Sequence, residues 1–350
     1  MPHPKPTERI TLLSFRTFGD YILKAPFLFE LRKRSPDASI AILTNKKGAQ
    51  VYPLLDSRLE VIAFDREDAG LRGLLRLARI PRSDLVYALD DSRTTLLLAL
   101  LLRGGRKTGW VQGISRLFAE GGYFEWKSVR PWVSALARLA LHPGRIRLPE
   151  EKYEGDVELE LLDLPGEGRR LAEYRSSFAR PPAPPPARPY IYCAAEAGWK
   201  ARQLSEGQWT GIISALLREF PAHAILVHGA PAVVAKFTAE GRVEEFRRGS
   251  IPELFDAISG ANLVVAPDSF ALHLASLYDR PAIGYFGPAH PHRFRPTAPG
   301  SSSLFRQPEC SPCLQLRGEA PCRRGLTQCA SLAAMQPEDF VAAAIQALKA

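Results

Sequence analysis

The chain has 350 residues, 46% hydrophobic and 24% charged, which excludes a disordered or fibrous protein and, at about 150 residues per domain, points to two domains that each bury a core. Its net charge of +9 suits phosphorylated sugars, anionic lipid headgroups and nucleic acid alike, so charge does not choose the partner. The longest apolar run, residues 96–102, is far short of the roughly 20 that span a bilayer, and the N-terminal residues hold no apolar signal core, so the expectation is a cytoplasmic protein.

Residues 9–14 (Arg-Ile-Thr-Leu-Leu-Ser) read as a first buried strand, 15–20 as a loop, and an amphipathic helix follows to about residue 34. Strand candidates at 39–43, 59–64 and 84–89 come next, separated by helical patterns, and 96–102 reads as a buried helix. Alternation of this kind means a parallel sheet with right-handed crossovers. Residues 178–189 hold six prolines in twelve positions, which favours a stiff extended linker and marks the domain boundary. The pattern then restarts with a strand at 190–194, a helix at 205–219, a strand at 223–228 and a helix at 230–239. Residues 261–287 read as strand, acidic turn, short helix and second strand. A last helical pattern, 337–348, opens with proline at a first-turn position and is expected to pack back onto the first domain. The expected division is therefore 1–178, a linker at 179–189, a second domain at 190–336 and a terminal helix at 337–350.

Asp268 and Ser269 stand where the first strand of 261–287 hands over to its helix. The first helical N–H groups lack partners there and the helix dipole favours negative charge, so a phosphate or a sugar hydroxyl binds at little cost. Ligand sites of open parallel sheets lie beyond such strand ends. The plain alternative for Ser269 is a helix cap worth roughly 1 kcal/mol. Gly19 and Asp20 close the first strand-to-helix loop, and Asp20 reads either as a first-turn acid or as a carboxylate projecting into an interdomain cleft. Lys200 and Arg202 follow the first strand of the second domain; the plain alternative for Lys200 is a solvated surface lysine.

These motifs resemble glycosyltransferase family 9, the heptosyltransferases. Asp268, Ser269, His273, Pro281, Phe286 and Gly287 match the family's donor motif, Gly19-Asp20 with Pro26 its first loop, and Lys200 with Trp209 its basic segment. The motifs stand in the family's order over about residues 9 to 345. The resemblance implies an α/β, GT-B-like architecture of two Rossmann-like domains with a cleft between them. It also implies an inverting transfer of a heptose-like sugar from a nucleotide diphosphate donor, by resemblance ADP-heptose, to a saccharide such as lipopolysaccharide core. Asp20 is then the general base, Lys200 assisted by Arg202 the partner of the donor diphosphate, and Asp268, Ser269 and His273 the donor-binding turn. The acceptor is expected to be an anionic saccharide or a lipid-linked one, with a peripheral inner-membrane contact, and nucleic acid is not expected. Two departures stand out. Phe270 replaces the family glycine, a bulk expected to narrow or re-aim the donor pocket, and the loop after 223–228 runs Gly229-Ala-Pro-Ala-Val-Val without the acid the family often carries there. The rival readings are a non-catalytic, metal-stabilised nucleotide-sugar-binding scaffold and a related transferase acting on a protein or natural-product acceptor.

Cys310, Cys313, Cys322 and Cys329 follow a C-x2-C-x8-C-x6-C pattern. Four thiols so close could surround one tetrahedral zinc or iron ion, and four thiolates would leave no open position for catalysis, so the ion would be structural; the plain alternative is four reduced packing cysteines. The same tail resembles that of the second-heptose type of lipopolysaccharide heptosyltransferase. No organic cofactor is expected. Cys193 reads as a buried core thiol. His290 and His292 lack a third ligand and read as loop residues that touch donor or acceptor. The arginine- and aromatic-rich stretch 103–147 reads either as acceptor contacts or as ordinary surface.

Overall fold

Short runs of branched and aromatic residues between helical patterns become strands buried on both faces, as parallel sheets require. The protein is described by a computed structural model over residues 8–65, 71–90, 93–110, 123–125, 152–166, 168–247, 249–310, 324–326 and 328–349. It divides into one unit of Met1–Pro149, Gly155–Glu167 and Ser176–Arg180, and a second of Glu150–Glu154, Gly168–Arg175 and Pro181–Ala350. The main division thus falls inside the proline-rich linker, while two short pieces upstream of it, 150–154 and 168–175, group with the second unit. The linker forms no helix or strand: its Arg180 N–H donates to Leu54 in the first unit, and its Ala183 N–H donates to Ser259 Oγ in the second.

In the first unit β1 (Arg9–Ser14), β2 (Ser39–Thr44), β3 (Glu60–Ala63), β4 (Ser83–Ala88), β5 (Gly104–Trp110) and β6 (Tyr123–Glu125) form a sheet in the order β3-β2-β1-β4-β5-β6. All neighbours are parallel except β5 and β6. The helix expected to run unbroken to residue 34 is instead α1 (Phe18–Ile22) and α2 (Ala25–Arg34). Pro26 has no N–H to continue the ladder, so the chain breaks at Leu23 and Lys24 and starts again with proline in the first turn, where a missing donor costs nothing. At the break, buried Lys24 pairs with buried Glu158. Further along come α3 (Gly48–Leu55), α4 (Leu71–Arg79) and α5 (Arg93–Leu101). Lys107 donates to the carbonyls of Ala99, Leu100 and Leu102, closing the end of α5.

The second unit carries β7 (Tyr190–Ala194), α6 (Glu206–Glu219), β8 (Ala224–His228), α7 (Pro231–Val234), β9 (Val243–Phe246), α8 (Ile251–Ser259), β10 (Leu263–Pro267), α9 (Phe270–Leu277), β11 (Ala282–Phe286), α10 (Pro291–Phe294), β12 (Ser302–Phe305), α11 (Ala330–Ala333) and α12 (Pro337–Lys349). Its strand order is β12-β11-β10-β7-β8-β9, all parallel, and every residue of β10 and β11 is buried. The helix expected over 230–239 is α7 followed by a 3-10 turn, Ala235–Glu240, bent at Phe237 (φ −114°, ψ 18°), whose ring joins the core. In the terminal helix α12, Phe340, Ala343, Ala344 and Ala347 share the second sheet's core with Trp209, Ile213 and Leu216 of α6. Phe340 packs edge-on to Tyr285 of β11. Among the described residues no helix is long and apolar enough to cross a membrane.

Candidate functional site

In the second sheet the chain order reverses between β7 and β10, the adjacent strands whose carboxyl ends form a topological switch point. Asp268 and Ser269 stand just beyond β10, with Ser269 at the N-cap of α9. Three serines occupy N-cap positions in this unit. Ser205 and Ser250 each accept from the backbone N–H three residues on, at 3.2 and 3.4 Å. Ser269 makes no cap bond, and its Oγ is buried without a hydrogen-bond partner. A buried hydroxyl left so costs about 1–3 kcal/mol. At this helix start beside the switch point, the structure shows no capping bond from the serine hydroxyl.

The acid beside it is held in a fixed electrostatic setting. Asp268 is 5% exposed, and Arg202 Nη1 donates to its backbone carbonyl (2.9 Å) and lies 3.2 Å from Oδ2. His273, one turn along α9 and 3% exposed, places Nε2 3.5 Å from Oδ1. Burial pushes the Asp268 carboxyl up, but Arg202, His273 and Arg293 outweigh it and hold the group below the usual carboxylate range. Asp268 Oδ2 and His273 Nδ1 are buried without hydrogen-bond partners, as Ser269 Oγ is. Two adjacent residues and one a turn along α9 thus each carry a buried polar atom without a hydrogen-bond partner.

The sequence reading missed Arg293. It is 8% exposed, paired with Glu154 and placed over the Phe294 ring, whose other neighbour is the His273 ring at 6.2 Å. In the run Pro291-His-Arg-Phe-Arg the histidines are the more conspicuous residues. His290 caps α10 by accepting from the His292 N–H, and the two rings stack at 4.8 Å. The Phe270 ring packs on Phe255 of α8, with centroids 5.8 Å apart.

Of the other expected residues, Arg202 joins the cluster directly. Lys200 is exposed in the 3-10 turn Lys200–Arg202 that precedes α6. Asp20 lies in the first unit, beyond the end of β1, which borders that sheet's own switch point with β4. The N–H and hydroxyl of Thr17 both donate to Asp20 Oδ2 (3.1 and 2.7 Å), a first-turn capping arrangement. Cys193 is fully buried, and burial pushes its thiol up to about 12, as suits an inert core residue. Cys329 is buried at the start of α11, where a Cβ on Gly287 would stand 3.2 Å from its Sγ, and Cys310 is half-buried. Cys313 and Cys322 lie outside the described residues, as does most of the stretch 103–147. Among the described residues no three His, Cys, Asp or Glu side chains gather as a metal site.

Residues 78–322 match the sequence model of glycosyltransferase family 9 (heptosyltransferase), a span that includes Lys200, Arg202, Asp268, Ser269 and His273 and leaves out Asp20. No curated protein sequence matches the chain. Among solved structures, the E. coli heptosyltransferase WaaC with ADP superposes with a TM-score of 0.60 at 19% identity, over 84% of this chain and 92% of that one. The E. coli ADP-heptose lipopolysaccharide heptosyltransferase II superposes at 0.66 and 15% identity, over 97% and 98%. The iron-containing dodecameric glycosyltransferase TibC of enterotoxigenic E. coli gives 0.55 and 12%, over 99% and 77%. These identities speak for the fold, which is GT-B-like, and the family model extends over most of the chain. The chain belongs to glycosyltransferase family 9, the heptosyltransferase family, and is a heptosyltransferase-like glycosyltransferase.

Proposed function

We propose that the protein transfers a heptose-like sugar, with inversion, from a nucleotide diphosphate donor to a saccharide acceptor such as lipopolysaccharide core. The observation that carries the reading is the uncapped Ser269 hydroxyl beside Asp268 and His273 at the start of α9. Hydroxyl, imidazole and helix N–H groups together suit the diphosphate and sugar of such a donor. ADP-heptose is the donor proposed, since WaaC was solved with ADP and heptosyltransferase II is named for ADP-heptose.

In this reaction the acceptor hydroxyl oxygen attacks the anomeric carbon from the face opposite the diphosphate, and the bond from that carbon to the phosphate oxygen breaks with its electron pair leaving on the nucleotide. The hydroxyl proton passes to a base, the role proposed for Asp20, whose two side-chain hydrogen bonds both run through Oδ2. Charge grows on the departing diphosphate, where the start of α9 and the exposed Lys200 stabilise it more in the transition state than before. Arg202 acts one step back, through Asp268. The four cysteines are proposed to hold one structural zinc or iron ion, a reading supported by their spacing and by the iron of TibC. An acceptor in a lipid-linked pool gives the basic chain a reason for peripheral contact with an anionic membrane.

The test is product analysis with ADP-heptose whose sugar is β-configured and a core saccharide truncated before its heptose. Release of ADP with an α-linked heptosyl product supports the proposal. A β-linked product contradicts inversion, and turnover only with another nucleotide sugar contradicts the donor.

A further inference from the structure

Glu196 lies two residues beyond β7, on the other side of the switch point from Asp268. Val265 pairs with Cys193 in the β7–β10 register, and Asp268 and Glu196 each follow three residues on, past the carboxyl ends of these neighbouring strands. On the β8 side, Ala195 N–H donates to the His228 carbonyl, extending the ladder one residue, and Gly229 follows with φ +87°. A Cβ on Gly229 would stand 2.3 Å from the Glu196 Cβ and 3.0 Å from its Oε2. Only glycine fits here, on both conformational and steric grounds, and its bare Cα is what lets the Glu196 carboxylate rest over the end of β8. Glu196 is exposed and has no ion pair among the described residues, whereas Asp268 spends its charge on Arg202 and His273.

Next along the same sheet edge is an aromatic shelf. Tyr192 Oη and His228 Nδ1 hydrogen-bond at 2.8 Å, which fixes the imidazole, and Phe246 at the end of β9 meets that ring edge-on at 5.4 Å. Both His228 and Phe246 are half-buried. From β10 to β9 the edge therefore offers an anion site at α9, then a carboxylate, then two rings. That is the order of a nucleoside diphosphate: phosphates, ribose, base. A carboxylate at this step accepts both hydroxyls of a vicinal diol, as an acid near a switch point does for the ribose of a dinucleotide.

We propose that Glu196 binds the ribose 2′- and 3′-hydroxyls of the donor and makes the site selective for ribonucleotides, with His228 and Phe246 bordering the base. The inference rests on the nucleotide-sugar reading of the α9 site. Calorimetry with ADP and 2′,3′-dideoxy-ADP on wild type, Glu196→Ala and Glu196→Gln tests it, with melting temperatures as the folding control. Wild type should prefer ADP by roughly 10- to 100-fold, the range of hydrogen bonds to a charged group. Glu196→Ala should lose that preference while binding dideoxy-ADP as wild type does, and Glu196→Gln should fall between. If Glu196→Ala discriminates as well as wild type, Glu196 is not the ribose residue although the donor reading stands. Wild-type protein that binds neither nucleotide overturns the donor reading itself, and this inference with it.

Discussion

Arg202 grips Asp268 twice, through the backbone carbonyl at 2.9 Å and the carboxylate at 3.2 Å, although 66 residues separate them. One guanidinium nitrogen, Nη1, thus reaches both the strand end and the side chain that stand at the start of α9. Arg202→Ala should leave a buried carboxylate without its main partner and cost about 2–3 kcal/mol in urea unfolding, below the figure for a fully buried pair because the Arg202 side chain is 24% exposed. Arg202→Lys should recover less than half. A lysine variant as stable as wild type would mean that only charge matters.

The depressed Asp268 pKa carries a signed consequence. A carboxyl whose folded pKa lies below its unfolded value contributes stability that is full above the unfolded value of about 4 and is lost as pH falls through the folded one. The stability gap between wild type and Asp268→Asn should therefore be constant near neutral pH and shrink below about pH 4. A gap that stays the same in acid would show that Asp268 is not held ionised by its neighbours.

Asp20→Asn keeps an amide oxygen to accept from Thr17, so α1 should retain its cap and the melting temperature should hold. Turnover should drop by about two to four orders of magnitude with donor affinity nearly unchanged, the pattern of a lost general base. Near-normal turnover would leave Asp20 with the capping role alone.

Protein purified without chelator should carry about one zinc or iron ion per chain by elemental analysis, because thiolates this close in sequence repel one another unless a cation or protons neutralise them. Replacing Cys310 and Cys313 by serine should lower the melting temperature while ADP binding persists. Metal-free protein of unchanged thermal stability would refute the site.

Much of this was legible in the sequence because it was local. The 261–287 segment is a run of small and branched residues, an acid, a serine and a second apolar run, and it folds as β10, α9 and β11. The strands 9–14 and 190–194 fall where their apolar runs end. What escaped was nonlocal or directional. Arg293 and its partner Glu154 lie 139 residues apart, so no spacing joins them. The apolar face of α12 shows that the helix packs, and its period cannot say against which sheet. Pro26 carried the signal for the break between α1 and α2, overridden in the reading by the amphipathic pattern around it. The serines carried a signal that went unused: Ser205 and Ser250 have Gln208 and Glu253 three residues on, the capping-box pattern, and Ser269 has Leu272 there.

That difference between serines gives the most direct test of the donor site. ADP affinity by calorimetry and melting temperature would be measured for wild type, Ser269→Ala and Ser205→Ala. Ser269→Ala should weaken ADP about tenfold with no loss of thermal stability, because its hydroxyl supports no cap. Ser205→Ala should do the reverse, destabilising by about 1 kcal/mol while leaving ADP affinity intact. Ser269→Ala protein that binds ADP as wild type does would contradict the placement of the donor at the start of α9.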